Sequence, residues 1–288
     1  VSDRLKGRVA VVTGASRGLG KATALALAGH GAHVAVVART ESVWNEKLPG
    51  TIGETVAEIE AKGGTACAIQ ADLLEPGATT RLMAEAKAAL GPISILVNNA
   101  AFTAPGKPPA PGESPRPSSP KKPVANETKD GRVAWPTFVG TPVSAYRRHF
   151  DIGVFAVYEL MQLAVPDMIA LGGGSIINVT SEAARMPGSG PYPDRSGGVL
   201  PGYGGSKAAL EHLTQCAAYD LQAEGISVNA LSPSVAIMTP GVAYYAADFD
   251  EYGKDSDFAE AAVRLALVDA SVVTGRVLGH LDVLAGEL

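Results

Sequence analysis

A doubly wound parallel α/β sheet, three layers deep, is the fold that this sequence predicts, and three observations predict it. Short apolar runs of strand length alternate with segments of helical periodicity along the chain. Several of the runs are unbroken, as in strands buried on both faces. Residues of unusual chemistry gather just after the strands, where open α/β sheets bind their ligands. At 288 residues the chain could form one large domain or two small ones. No linker separates two cores, so a single α/β/α domain over residues 1–288 is expected.

The first strand is the run Val9 to Val12, ended by Thr13. Gly14, Gly18 and Gly20 then open a turn that leads into a helix over Lys21 to Ala28. A strand, a glycine-rich turn and a helix N-terminus make an anion site. The helix dipole and free N–H groups face a phosphate, and the missing side chains let it approach closely. His33 to Val37 reads as the second strand, followed by Ala38–Arg39 and a loop through Glu41 to Gly50. A helix over Thr51 to Lys62 follows, with Ile52, Val56 and Ile59 at helical spacing and Gly63–Gly64 as its stop. Ala66 to Gln70 is the third strand, with Asp72 just beyond it. Leu82, Met83, Ala86, Ala89 and Leu90 form the stripe of the next helix. Ile93 to Val97 is the fourth strand, with Asn98–Asn99 at its carboxyl end.

From Phe102 to about Pro142 the periodicity disappears, and ten of the 20 prolines fall there, which marks an insert. A long helix over Val143 to Leu171 and a fifth strand over Ser175 to Val179 come next. A Gly/Pro-rich loop spans Arg185 to Pro201. A helix over Gly202 to Ala223, a sixth strand over Ser227 to Leu231, a helix near Phe258 to Val268 and a last strand near Val277 to Val283 complete the pattern.

Composition narrows the function classes. The net charge is −5 and no basic block exceeds Lys121–Lys122, so nucleic acid is not an expected partner. The first strand begins within about ten residues and no apolar run approaches the roughly 18 needed to cross a bilayer. No leader and no membrane span are therefore expected, and the expected location is cytoplasmic. Cys67 and Cys216 are too few for a disulfide framework and read as buried hydrophobes. Of the five histidines only His30 and His33 are close in sequence, and no metal site is expected.

Tyr203 and Lys207 are four apart at the start of a helix and so share one face. Unit charges about 4 Å apart at an effective dielectric near 20 interact by roughly 4 kcal/mol. A lysine so placed is expected to bring the phenol down from about 10 toward neutrality, making Tyr203 a general acid/base for a hydroxyl or carbonyl.

With these residues in view, the chain resembles the short-chain dehydrogenase/reductase family. TGASRGLG (Thr13 to Gly20) is similar to its TGxxxGxG turn, NNAA (Asn98 to Ala101) to its NNAG stretch, and YGGSK (Tyr203 to Lys207) to its YxxxK. INVTS ends in Ser181, which matches the family's serine after the fifth strand. NALSP (Asn229 to Pro233) and the late VTGRVL resemble the run before the nicotinamide loop and the closing strand. The resemblance implies a Rossmann fold and a nicotinamide cofactor. Tyr203 would exchange the proton, Lys207 would lower its pKa and bind the nicotinamide ribose, and Ser181 would hydrogen-bond the substrate oxygen. The implied cofactor contacts are Gly14, Ser16, Arg17, Gly18, Leu19, Gly20, Arg39, Asp72, Leu73, Asn98, Tyr203, Lys207 and Pro233, with Asp72 on the adenine and Asn98 lining the cleft. The family's oligomers, through its two long central helices, imply a homodimer or homotetramer.

Three departures stand out. Gly153 occupies the position of the family's catalytic asparagine, whose main-chain carbonyl holds a relay water; a local bend is expected there. Ser181 and Tyr203 are about nine residues further apart than usual, and Tyr192, nearer the usual spacing, has Ser196 where the lysine should be. The family's PG after the sixth strand is Pro233–Ser234.

Position 38, at the end of the second strand, is alanine, where an acid would repel a 2′-phosphate. Arg39 follows, and Arg17 lies in the glycine turn. Two guanidinium groups suit a phosphate dianion, so NADP is expected over NAD. The expected activity is interconversion of a ketone or aldehyde and an alcohol. The aromatic patch around Tyr244–Tyr245 and the apolar Val235 to Met238 favour a hydrophobic carbonyl. A cofactor-sensing or structural protein, separable by an NADPH-consumption assay, and a lyase or epimerase, which would turn over without net change at the nicotinamide band, stay open.

Overall fold

The computed structural model describes residues 3–43, 45–102, 138–192, 201–244, 249 and 251–288. Most of the proline-rich insert and part of the second loop, including Ser196, lie outside the described residues, as does Tyr245.

Seven parallel strands form one sheet: β1 (Val9–Thr13), β2 (His33–Ala38), β3 (Thr65–Gln70), β4 (Ile95–Asn98), β5 (Gly174–Val179), β6 (Ile226–Ser232) and β7 (Val277–Gly279). Their order is β3-β2-β1-β4-β5-β6-β7. The order reverses between β1 and β4, which opens a crevice beyond their carboxyl ends. The helices are α1 (Gly18–Gly29), α2 (Ile52–Ala61), α3 (Ala78–Leu90), α4 (Val143–Phe150), α5 (Ala156–Ala170), α6 (Pro201–Leu221), α7 (Pro240–Tyr244), α8 (Asp255–Leu265) and α9 (His280–Ala285).

Unbroken apolar strands produce two cores because successive side chains face opposite sides of the sheet. Ala10, Val12, Val34, Val36, Ile95 and Val97 pack with Leu27 of α1, Ile59 of α2 and Phe258 of α8. Val9, Val11, Ala35, Val37 and Leu96 pack with Leu82 of α3, Leu160 of α5 and Leu210 of α6. Thr51 caps α2 reciprocally with Glu54: the Thr51 N–H donates to the carboxylate at 2.9 Å and the Glu54 N–H to Thr51 Oγ1 at 3.1 Å.

The expected long helix runs unbroken from Val143 to Ala170, as α4, a π-helical turn over Asp151–Phe155 that contains Gly153, and α5. Several expectations need correction. The run Val143–Ala170 is long and apolar enough, by length and composition, to cross a membrane, with half of its most apolar stretch buried in the protein. The last strand stops at Gly279 because the Gly279 N–H turns to the Asp282 carboxylate at 3.1 Å and starts α9. The cysteines are not both buried: Cys67 is half-buried, and Cys216 is exposed, its sulfur 3.7 Å from His212 Nδ1.

Candidate active site

The site is assembled at the carboxyl ends of β1, β4, β5 and β6. Gly14 and Gly18 have φ of +67° and +55°, a region that side chains disfavour. Gly20 is needed for space: a Cβ there would collide with the Gly14 carbonyl oxygen and Asn99 Nδ2. α1 starts at Gly18 without a side-chain cap and without an acid in its first turn, so its N–H groups face the crevice unneutralised. Ser16 is buried beside Arg17, and Leu19 packs on the core.

Asn98 and Asn99 divide the work differently from the expected arrangement. Asn98 is 2% exposed, and its amide donates to Asn178 Oδ1 at 2.9 Å, inside the sheet. Asn99 is the residue that reaches the turn, donating to the Thr13 and Gly14 carbonyls at 2.9 and 3.2 Å. Thr13 Oγ1 accepts the N–H groups of Asn99 and Ala100, both at 3.1 Å, and ties β1 to β4.

At the end of β2, Arg17 Nη2 donates to Thr40 Oγ1 and the Gly50 carbonyl, both at 3.0 Å, while its buried Nε has no partner. Burial and then the charge of Arg39 lower the Arg17 pKa, partly offset by Glu54. The two guanidinium groups are thus held close against their repulsion. Arg39 lies 3.8 Å from Asp72, whose other oxygen accepts the Leu74 N–H at 3.1 Å. Leu73 packs on the core beside it.

Ser181, Tyr203 and Lys207 come together where β5 ends against α6. Ser181 caps a short 3₁₀ turn, Glu182–Ala184, and its hydroxyl bonds the Tyr203 phenol. Lys207 is 2% exposed. Its ammonium donates to the Val179 carbonyl at 2.5 Å and lies 5.6 Å from the centre of the Tyr203 ring. Burial pulls Lys207 down to about 8, resisted by the charge of Glu211. The expected depression of the phenol is not found. Burial raises the Tyr203 pKa, and the Ser181 bond offsets only part of that.

Two residues escaped the sequence reading. His149 of α4 stacks edge-on against Tyr203, with ring centres 6.1 Å apart, and against Phe102 at 5.2 Å. Burial, aided by the charge of Lys207, lowers its pKa to about 4, so it is neutral at pH 7. Gly202 makes room for it: a Cβ there would stand 2.6 Å from His149 Cδ2. The signal available was its place one turn before Gly153. His280 is the second, described below. Tyr192 is exposed, with its hydroxyl on the Gly188 carbonyl. Of the aromatic patch, Phe249 and Tyr252 meet edge-on at 5.9 Å.

Gly153 is buried, and a Cβ there would rest 3.4 Å from Ser206 Oγ, an ordinary contact. Gly153→Asn is therefore expected to fold and to keep kcat/KM within about an order of magnitude of wild type, because glycine and asparagine present the same main-chain carbonyl. A larger loss in steady-state assays would contradict this.

Beyond β6, Pro233 is partly exposed, and the segment runs to Thr239, which covers Gly18: a Cβ on Gly18 would stand 3.3 Å from Thr239 Cβ. The segment after β6 and the glycine turn therefore face each other.

Comparison with known proteins agrees with this architecture. The family model described as short chain dehydrogenase matches residues 8–111 and 136–248. An uncharacterized oxidoreductase of Mycobacterium tuberculosis is 33% identical, covering 96% of this chain and 91% of its own length. A 7α-hydroxysteroid dehydrogenase structure with NADH and 7-oxo glycochenodeoxycholic acid is 28% identical at a TM-score of 0.71, over 96% of this chain and 93% of its own. A 3-oxoacyl (acyl-carrier-protein) reductase of Agrobacterium tumefaciens C58 with NADP bound is 26% identical at 0.72, over 96% and 93%. This chain belongs to the short-chain dehydrogenase family and is an oxidoreductase of that family, whose members bind a nicotinamide cofactor. The residues present fit such a group: an uncapped helix N-terminus, a glycine turn that side chains would fill, and a buried Arg17 Nε without a partner.

Proposed function

We propose that this chain is an NADP-dependent carbonyl reductase or alcohol dehydrogenase. The observation that carries the reading is the meeting of Ser181, Tyr203 and buried Lys207 at the same carboxyl-end side of the sheet as the glycine turn. When bound, the nicotinamide supplies or takes up hydride at the carbonyl carbon. In the reducing direction Ser181 donates a hydrogen bond to the carbonyl oxygen, and Tyr203 gives its phenol proton to that oxygen. The raised phenol pKa keeps Tyr203 protonated and ready to donate, and the Lys207 ammonium stands ready to stabilise the phenolate that results. Gly14, Ser16, Gly18, Leu19 and Gly20 would hold the pyrophosphate side. Asp72 and Leu73 would hold the adenine, with Asn98 and Asn99 bracing the crevice, and Pro233 would hold the nicotinamide side. Exposed Phe155 of the π turn, Tyr158 of α5 and Tyr219 of α6 support a homodimer or homotetramer.

NADP is favoured by Arg17 and Arg39, two cations whose mutual repulsion a 2′-phosphate dianion would relieve. Of the two structures compared, one reductase holds NADP and one dehydrogenase holds NADH, so the arginine pair supplies the argument. Titration should find NADPH bound at least about tenfold more tightly than NADH. Arg39→Ala should weaken NADPH by about ten- to a hundredfold, the effect of one charge-assisted hydrogen-bonding group, and leave NADH nearly unchanged. Tighter binding of NADH by wild type would overturn the preference.

A further inference from the structure

The segment from Pro233 to Thr239 is fastened at both ends, and one fastening uses a residue that the reaction does not. His280, the first residue of α9, has no solvent exposure. Its Nδ1 accepts the Ser234 N–H at 2.8 Å. The Ser234 hydroxyl in turn accepts the Leu281 N–H at 3.2 Å. These bonds run in opposite directions and close a ring between the segment and the first turn of α9. Because Nδ1 accepts, the proton of the neutral ring sits on Nε2.

The surroundings leave little play. A Cβ on Gly279 would collide with Ser234 Oγ and stand 2.6 Å from Asp282 Oδ2. A Cβ on Gly253 would stand 2.7 Å from Val235 Cγ2 and 3.7 Å from His280 Nε2. Ile237 is pinned by a bridge to Gly253, and the far end is Thr239, which accepts the Val242 N–H at 3.2 Å and lies over Gly18. The clasp gives a structural use to the serine at 234, where the family pattern has glycine: a glycine would leave the Leu281 N–H without this acceptor.

We propose that His280 is a positioning residue for the cofactor, holding Ser234 so that the Pro233–Thr239 segment stands at the height over the glycine turn that the nicotinamide half of the dinucleotide needs. This rests on the reading that this segment contacts that half. Only a neutral imidazole can accept at Nδ1; a protonated ring would set N–H against N–H. Burial lowers the His280 pKa, while Asp257 of α8, Asp282 of α9 and the Ser232 carbonyl pull the other way. The clasp is therefore intact above the ordinary histidine value of about 6.5 and is lost as the pH falls through the lower folded value.

The test uses the full chain, whichever of NADPH and NADH it binds more tightly, and 2′,5′-ADP or ADP as the matching adenosine half. His280→Phe keeps a ring beside Phe258 and removes the acceptor. His280→Asn restores an acceptor the same number of bonds from Cα. His280→Phe should raise the dinucleotide Kd and KM about tenfold, the effect of one hydrogen bond lost in a buried setting, and leave the Kd of the adenosine half unchanged. His280→Asn should recover most of that loss and flatten the acid limb of the wild-type binding profile. Ser234→Gly should weaken the dinucleotide in the same selective way and covers the case of a misfolded His280 variant. An unchanged dinucleotide Kd in His280→Phe, or in Ser234→Gly if that variant alone folds, overturns the proposal, as does an equal loss for the adenosine half. Hydrogen exchange of residues 233–239 separates the layers: if the dinucleotide does not protect them in wild type, the underlying reading of the segment fails first.

Discussion

Tyr203→Phe should lower kcat/KM for carbonyl reduction by about 10²- to 10⁴-fold, the usual contribution of a positioned general acid. The substitution removes one oxygen and leaves the ring against His149 and over Lys207, so the fold and the cofactor Kd should stay near wild type. The size of the effect follows from the site's composition. Among the described residues around Tyr203, His149 is held neutral with its pKa near 4, and Lys207 donates to the Val179 carbonyl. Neither is poised to replace a lost phenol proton at pH 7. Steady-state kinetics with NADPH and a ketone, together with a binding titration, measure both quantities. Turnover in Tyr203→Phe close to wild type would remove Tyr203 from the proton-transfer role.

Gly20→Ala should produce the second large effect, by a steric route. Gly20 is helical, so its backbone would accept alanine, but the new methyl would run into the Gly14 carbonyl oxygen and Asn99 Nδ2. Neither can yield cheaply. Gly14 is backbone in a left-handed turn, and Asn99 would have to give up its bonds to the Thr13 and Gly14 carbonyls. Overpacking of this kind costs about 1–3 kcal/mol, which thermal denaturation would register as a fall in Tm of several degrees, at roughly 2–4 °C per kcal/mol for a chain approaching this size. Displacing the turn also moves the N–H groups at the start of α1, and a misplacement near 1 Å can cost about 10²-fold in kcat/KM. Gly29→Ala is the control. At the end of the same helix, a Cβ on Gly29 meets nothing within 4 Å, and that variant should match wild type in activity.

Which features could be read in advance follows from how far their causes reach along the chain. The strands of the central sheet are legible because burial on both faces forces unbroken apolar runs, as in Val9 to Val12 and His33 to Val37. The glycine turn is legible because strand, turn and helix are contiguous, and Tyr203 with Lys207 because helical spacing alone puts them on one face. Asn98 and Asn99 are adjacent, and only strand pairing decides which turns inward to Asn178 and which reaches Gly14. The raised Tyr203 pKa depends on burial, and the Lys207 bond to the Val179 carbonyl on how α6 meets β5, which are tertiary matters. The π turn at Gly153 packs against α6, a contact that no local pattern announces. His280 meets Ser234 across 46 positions of sequence, beyond any local pattern. The end of β7 is not legible because its apolar residues suit a strand and a short helix equally, and the Asp282 cap decides between them.

The proposed activity requires Tyr203 to deliver a proton to a carbonyl while a nicotinamide cofactor delivers hydride. The most direct measurement follows NADPH oxidation at the nicotinamide absorbance band, against a panel of ketones and aldehydes, for wild type and Tyr203→Phe side by side. The predicted result is carbonyl-dependent oxidation by wild type, with the alcohol as product, that Tyr203→Phe all but abolishes. Equal rates in the two proteins, or no carbonyl-dependent oxidation by wild type with either NADPH or NADH, would contradict it.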